Sequence, residues 1–296
     1  MKVALYTIIA LVAFAANSLF CRMALAEGYI DAWSFTAIRL LSAALCLSII
    51  MLIYTRHLAQ LPNATVATEA ILKDKGSWLS SISLVVYALC FSLAYVALDT
   101  GTGALILFSA VQLTMIGWGI YQKERLSRLQ WLAFIVAVAG FIYLMLPSAA
   151  VPSLYGAIIM AISGIAWGVY SIRGQACRSP LRATGFNFIR SLVAVPVIGL
   201  IGIAYLQDIR FEGLVLASIS GAITSGVGYS IWYMAMPLLK STQAAIVQFC
   251  VPVLAAIAGV VFLSEQLTLR FIVASAIILG AVLVFILNKK VVKLAS

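Results

Sequence analysis

The chain has 296 residues, of which 64% are hydrophobic and 9% charged, against roughly half apolar and a quarter charged in a soluble domain. That balance excludes a water-soluble fold; a bilayer core about 30 Å thick takes about 20 apolar residues per helix, so ten spans would use most of the length. The net charge of +10 sits in short clusters between apolar runs, which reads as a topology signal and argues against a nucleic-acid partner.

In chain order, apolar runs bounded by polar breaks predict helices over 3–26, 31–54, 77–98, 102–122, 129–146, 153–173, 184–206, 213–236, 240–263 and 268–288. Lys2, the apolar run after it and Ala13-Phe14-Ala15 have the outline of a secretory signal. The apolar pattern continues through Asn17 to Leu25, however, so a first span is expected. The connection 55–77, with Arg56, His57, Pro62, Lys73, Asp74 and Lys75, is expected to be an interfacial loop or a short surface helix. Cys21, Cys46, Cys90, Cys177 and Cys250 are scattered without a CxxC pair. They read as small buried hydrophobes, and no metal or cofactor is expected.

With the N-terminus in the cytoplasm, 14 Lys and Arg residues fall on the inside and only Arg210 and Arg270 on the outside, the remaining three lying within spans. This asymmetry supports an even number of spans and places both termini on the cytoplasmic face of the inner membrane.

The sequence repeats itself. Phe35, Ile38 and Arg39 recur in spacing as Phe186, Ile189 and Arg190, and Tyr95-x-Ala97-Leu98 matches Tyr233-x-Ala235-Met236. Gly103-Ala104-Leu105-Ile106 leads to Glu124-Arg125-Leu126-Ser127, and 141 residues later Ala244-Ala245-Ile246-Val247 leads to Glu265-Gln266-Leu267-Thr268. The reading is an all-α integral membrane protein of ten helices in two five-helix repeats, 1–147 and 148–296. An odd number of helices duplicated in tandem gives inverted topology, the geometry in which two units rock about a midplane site.

The five-plus-five plan, the small and aromatic residues of each repeat's first span and the joints Lys123-Glu124-Arg125-Leu126-Ser127 and Ser264-Glu265-Gln266-Leu267-Thr268 resemble the drug/metabolite transporter superfamily with paired EamA repeats. Within it the chain is most similar to the YddG-type aromatic amino-acid exporters. The resemblance implies a secondary transporter exporting small metabolites, neutral or aromatic amino acids foremost, by alternating access, without a cofactor. The family's proline is kept as Pro252, whereas the aligned position in the first half is Val111, followed by Gln112.

Polar side chains inside spans are the natural candidates to contact solute. These are Asn17, with its repeat partner Tyr170 one turn beyond Trp167; Tyr87, Phe108, Ser109 and Gln112; and Tyr229, Gln248 and Phe249. Aromatic faces would pack an apolar body, while amides and hydroxyls would hold charged ends; interhelical hydrogen bonding and core packing are the alternative roles. Arg22, Arg39 and Arg190, with Pro252, are structural or gating candidates. Attraction of a substrate carboxylate is one reading of the arginines, and snorkelling or bonding to loop carbonyls is the other.

No Asp or Glu falls near the middle of a predicted span and the only histidine is His57, so no acid/base couple, nucleophile pair or metal cluster for an enzyme can be assembled. The partners expected are a small-molecule solute and membrane lipid, with the monomer as the working unit. A carrier of another solute, a channel and a structural scaffold are the alternatives. Energy coupling and the direction of net movement are left open by the residues.

Overall fold

The computed structural model describes residues 2–59, 73–122, 127–145, 154–206, 208–239, 241–248 and 250–287, and all regular structure among them is helical. The helices are α1 (Lys2–Ala26), α2 (Ala32–Ala59), α3 (Trp78–Tyr95), α4 (Thr100–Tyr121), α5 (Arg128–Met145), α6 (Leu154–Gly174), α7 (Pro180–Tyr205), α8 (Phe211–Leu238), α9 (Ser241–Val247), α10 (Cys250–Leu263) and α11 (Leu269–Leu287). Among the described residues, seven helices are long and apolar enough to cross a membrane: α1–α4 and α6–α8. Shorter apolar runs cover Arg128–Gly140, Cys250–Leu263 and Leu269–Ala281. Helices suit this setting because lipid offers no partner for an open backbone group.

The chemistry of the surface is inverted relative to a soluble protein. Ile8, Leu45, Leu200, Val261 and Phe262 are each more than half exposed, whereas Asn17, Arg39, Gln112 and Gln248 are buried. Apolar side chains thus meet lipid and polar ones meet protein.

Short polar residues set where helices begin. Asp31 Oδ1 accepts from the backbone of Trp33 and Ser34 at 2.9 Å each, capping α2. Ser77 Oγ caps α3 through Ser80 N at 3.1 Å. The two repeated joints resolve into caps as well. Ser127 accepts from Gln130 N at 3.2 Å while Gln130 Oε1 accepts from Ser127 N at 2.8 Å, a reciprocal box at the start of α5. Thr268 Oγ1 accepts from Phe271 N at 3.1 Å at the start of α11.

Prolines and one unusual turn account for most departures from the sequence reading. The single helix expected over 240–263 is two, α9 and α10, because Pro252 has no N–H and its ring crowds the carbonyl four residues back, which belongs to Gln248. Helix α7 begins at Pro180, earlier than expected, and tightens to a 3₁₀ turn over Leu192–Ala194 ahead of Pro196. Helix α8 contains a π-helical stretch, Ser220–Val227. Helix α2 continues to Ala59 into the expected loop, most of which, 60–72, lies outside the described residues.

Packing partners come in matching pairs. Helix α1 lies against α8 and α10, and α6 lies against α3 and α4; α2 meets α7, and α5 meets α11. At one end Arg22, Asp99 and Glu265 gather; at the other Asp74 accepts from the backbone of Arg178 and Ser179 at 2.7 and 2.8 Å, and Arg173 donates to Ser77 and Ser80 at 3.0 Å.

Candidate functional site

The site is assembled from α1, α2, α3, α6 and α8. Asn17, nine residues before the end of α1, presents its amide to α8. Its Oδ1 accepts from Ser220 Oγ at 2.7 Å, Thr224 Oγ1 at 3.1 Å and Ser225 Oγ at 3.5 Å. In a regular α-helix, residues five apart point to different sides; the i→i+5 pattern of the π stretch brings Ser225 round toward the face of Ser220 and Thr224. Asn17 Nδ2 donates to the hydroxyls of Tyr87 at 3.3 Å and Tyr229 at 3.5 Å.

Arg39 completes this cluster. Its side chain is 1% exposed, with Nε donating to Ser225 Oγ at 2.9 Å and Nη2 donating to Tyr229 OH at 2.6 Å and Tyr87 OH at 3.2 Å. Its guanidinium carbon lies 5.2 Å from the Tyr87 ring centroid and 4.9 Å from that of Phe91, a cation–π geometry. The two phenols also meet, Tyr229 OH donating to Tyr87 OH at 2.9 Å. Among the described residues Nη1 has no hydrogen-bond partner. Arg39 therefore neither snorkels to an interface nor binds a loop carbonyl. Seven residues inside α2, about 10 Å from its end at 1.5 Å per residue, it faces α3 and α8 and not lipid, and their hydroxyls hold it in place.

An aromatic wall adjoins the polar cluster. Trp167 lies 4.5 Å from Tyr229, 4.9 Å from Tyr87, 5.2 Å from Phe14 and 5.4 Å from Tyr170, centroid to centroid. Its indole Nε1 donates to Gln248 Oε1 at 3.0 Å, and Gln248 Nε2 turns back onto Ala244 O at 3.0 Å. The break before Pro252 is what leaves Gln248 free of a continuous helix. Phe108 reaches the wall through Phe14, with centroids 6.4 Å apart.

The other expected site residues are placed as follows. Tyr170 stacks on Tyr233 at 4.8 Å, and Tyr233 OH donates to Tyr170 O at 2.9 Å. Ser109 and Gln112 are buried on α4, and among the described residues neither Ser109 Oγ nor either amide atom of Gln112 has a hydrogen-bond partner. Phe249 lies outside the described residues, as do Glu124 and Lys240. Arg190 donates to Lys75 O and covers the Trp78 ring at 5.6 Å; it is a brace between α7 and the start of α3. Arg22 donates to Tyr95 O at 2.9 Å and Val96 O at 3.1 Å. The sequence reading missed Phe14, Phe91, Ser220, Thr224 and Ser225. The three hydroxyls carried a usable signal, since small polar residues inside a span are expected to face protein.

Contacts gather at both ends of this region. Toward Asp74, a cleft of about 140 Å³ lined by Ser80, Arg173, Asn187 and Tyr233 reaches the Tyr170–Tyr233 stack. Toward Arg22, Glu265 accepts from Thr100 N and Thr100 Oγ1 at 2.9 Å and stands 3.6 Å from Arg22 Nε, while Asp99 lies 3.5 Å from Arg22 Nη2. Ser264, at φ 53°, takes the left-handed conformation common just past helix ends, which folds Glu265 back so that its N–H meets Gly259 O at 3.2 Å.

Comparison with known proteins agrees with this architecture. The EamA-like transporter family model matches residues 154–287. An uncharacterised Pseudomonas aeruginosa protein is 44% identical over 280 residues, covering 94% of this chain and 92% of its own. The chain belongs to the EamA-like transporter family. It is a membrane protein for the transport of small-molecule solutes. An uncharacterised transporter of Archaeoglobus fulgidus is 26% identical over 208 residues, covering 68% of this EamA-like chain and 73% of its own. A crystal structure covering 94% of the chain superposes with a TM-score of 0.58 at 18% identity, which is a likeness of fold alone.

Proposed function

We propose that the chain is a ten-helix secondary transporter, built as two inverted five-helix repeats over 1–147 and 148–296, that moves neutral or aromatic amino acids by alternating access. The observation that carries this reading is the Asn17–Arg39–Tyr87–Tyr229 cluster beside the Trp167 wall: polar groups and flat apolar surface meet inside the helices, drawn from both parts of the chain. The packing supports the repeat. Exchanging one five-helix set for the other turns the contact of α1 with α8 into that of α6 with α3, and the contact of α1 with α10 into that of α6 with α4. Repeats of this kind rock about a shared site.

In this reading, the N-terminus and the Asp74 end are cytoplasmic in the inner membrane, matching the concentration of basic residues there. The Tyr170–Tyr233 stack closes the cytoplasmic path, and the Arg22–Asp99–Glu265 group closes the other. One monomer holds the complete site. Opening one barrier while the other stays shut exposes the cluster to one side at a time. The aromatic wall packs an apolar side chain, and the hydroxyls and amides hold the charged backbone of the solute.

The test is flux in proteoliposomes. Labelled neutral amino acids should enter with saturable kinetics, and unlabelled ones should compete more strongly than sugars or nucleotides. Flux that rises linearly with concentration, or none above protein-free vesicles, would remove the carrier reading.

A further inference from the structure

Resting on that reading, we propose that the site selects its solute by a carboxylate, which docks on Arg39, and that an α-amino group is dispensable. The solute class is then apolar or aromatic carboxylic acids, of which amino acids are one member.

The hydrogen-bonding balance of the cluster leads there. Arg39 and the Asn17 amide nitrogen bring only donors. Three donors converge on the Tyr87 oxygen, from Asn17, Arg39 and Tyr229. Among the described residues, every acceptor that meets the guanidinium is a neutral hydroxyl, and Nη1 meets none. Among the described residues no acidic side chain is paired with it: Glu265 is engaged with Thr100 and Arg22, Asp99 faces Arg22, and Asp31 caps α2.

A charge inside a span is costly and is kept where it faces protein partners. Phenol oxygens offset that only partly, because they carry no opposite charge to set against the guanidinium. A carboxylate offers two oxygens in the plane of the guanidinium fork. It takes Nη1 and displaces one phenol from Nη2, so Tyr87 and Tyr229 act as stand-ins for the solute's oxygens. An ammonium group finds no anion here. It meets ring faces and hydroxyls that are already engaged, so it contributes little.

The experiment uses wild-type protein in proteoliposomes with labelled phenylalanine, 3-phenylpropionate and phenethylamine, which share one aromatic body and differ in their charged ends. Phenylalanine and 3-phenylpropionate should both show saturable uptake and compete with each other, whereas phenethylamine should do neither. Arg39→Gln, checked for membrane yield and monodispersity, should lose uptake of both acids by roughly tenfold or more, the scale of a single charge-assisted hydrogen bond. Arg39→Lys should keep part of it. Should Arg39→Gln fail to insert, the wild-type comparison still decides. Uptake of phenethylamine equal to that of the acids, or exclusion of 3-phenylpropionate while phenylalanine is carried, overturns the inference and leaves the carrier reading in place. Absence of saturable uptake of all three overturns both.

Discussion

Trp167 Nε1 and Gln248 Oε1 lie 3.0 Å apart, so the indole that walls the site is held by a side chain at the break between α9 and α10. Both residues are at most 2% exposed, and each orients the other. Trp167→Ala and Gln248→Ala should each lower saturable flux several-fold with normal membrane insertion. The double variant should be less than additive, because contacting residues couple by about 0.5–3 kcal/mol. Additive losses in uptake assays would show that the two act separately.

Replacing Asn17 with Leu removes the acceptor shared by Ser220, Thr224 and Ser225. Thr224 keeps its bond to Ser220 O at 2.8 Å, but Ser220 and Ser225 lose a partner. With interhelical hydrogen bonds in membranes averaging about 0.6 kcal/mol, the cost should be roughly 1–2 kcal/mol. A lowered Tm of the detergent-solubilised protein checks this, together with loss of uptake.

Glu265→Gln should loosen the Arg22–Asp99–Glu265 end of the helices. The carboxylate accepts both the backbone and the hydroxyl of Thr100 and faces Arg22; the amide keeps the hydrogen bonds and loses the charge. A cysteine placed at Leu98, which is 0% exposed, should react faster with an impermeant maleimide in the Gln variant. The difference should shrink at high salt in proportion to the exposed part of the cluster. Equal labelling rates would show that the charge does not hold this end shut.

Cys177, between α6 and α7, donates to Tyr233 O at 3.7 Å. Burial, and then the nearby Asp74 carboxylate, push its thiol up to about 12. Since the thiolate is the reactive form, a variant retaining Cys177 alone should be nearly inert to maleimide at pH 8. Its rate should climb about tenfold per pH unit until near that value. Asp74→Asn should raise the rate at any given pH below it, because removing a like charge favours the thiolate.

Gly221 packs where a Cβ would strike the Arg39 carbonyl and the Ser42 hydroxyl. Gly221→Val should separate α8 from α2, at a cost of roughly 1–3 kcal/mol. The loss should appear as reduced Tm and as reduced uptake, because the same contact positions Arg39.

Much of this molecule was legible in its sequence. The joints that repeat as Leu126-Ser127 and Leu267-Thr268 announce helix starts, and Ser127 and Thr268 do cap α5 and α11. The break before Pro252 was not read, although a proline cannot donate to the carbonyl four residues before it; that carbonyl, of Gln248, accepts from Val251 N at 3.1 Å instead. Depth was not readable for Arg39. Counting residues from a span's end gives the height of the Cα but not the neighbours a long side chain will find, and two arginines in the same motif went to opposite settings. Arg39 turned inward onto hydroxyls and Arg190 outward onto a loop carbonyl. The gathering of Ser220, Thr224 and Ser225 on one amide depends on a backbone pattern that side-chain periodicity does not reveal.

The π stretch of α8 gives that helix a wider winding for eight residues. Rewinding it to ordinary α geometry would absorb the slack by rotating everything from Gly228 onward about the helix axis, swinging the Tyr229 phenol away from Arg39 and Asn17 without severing the rod.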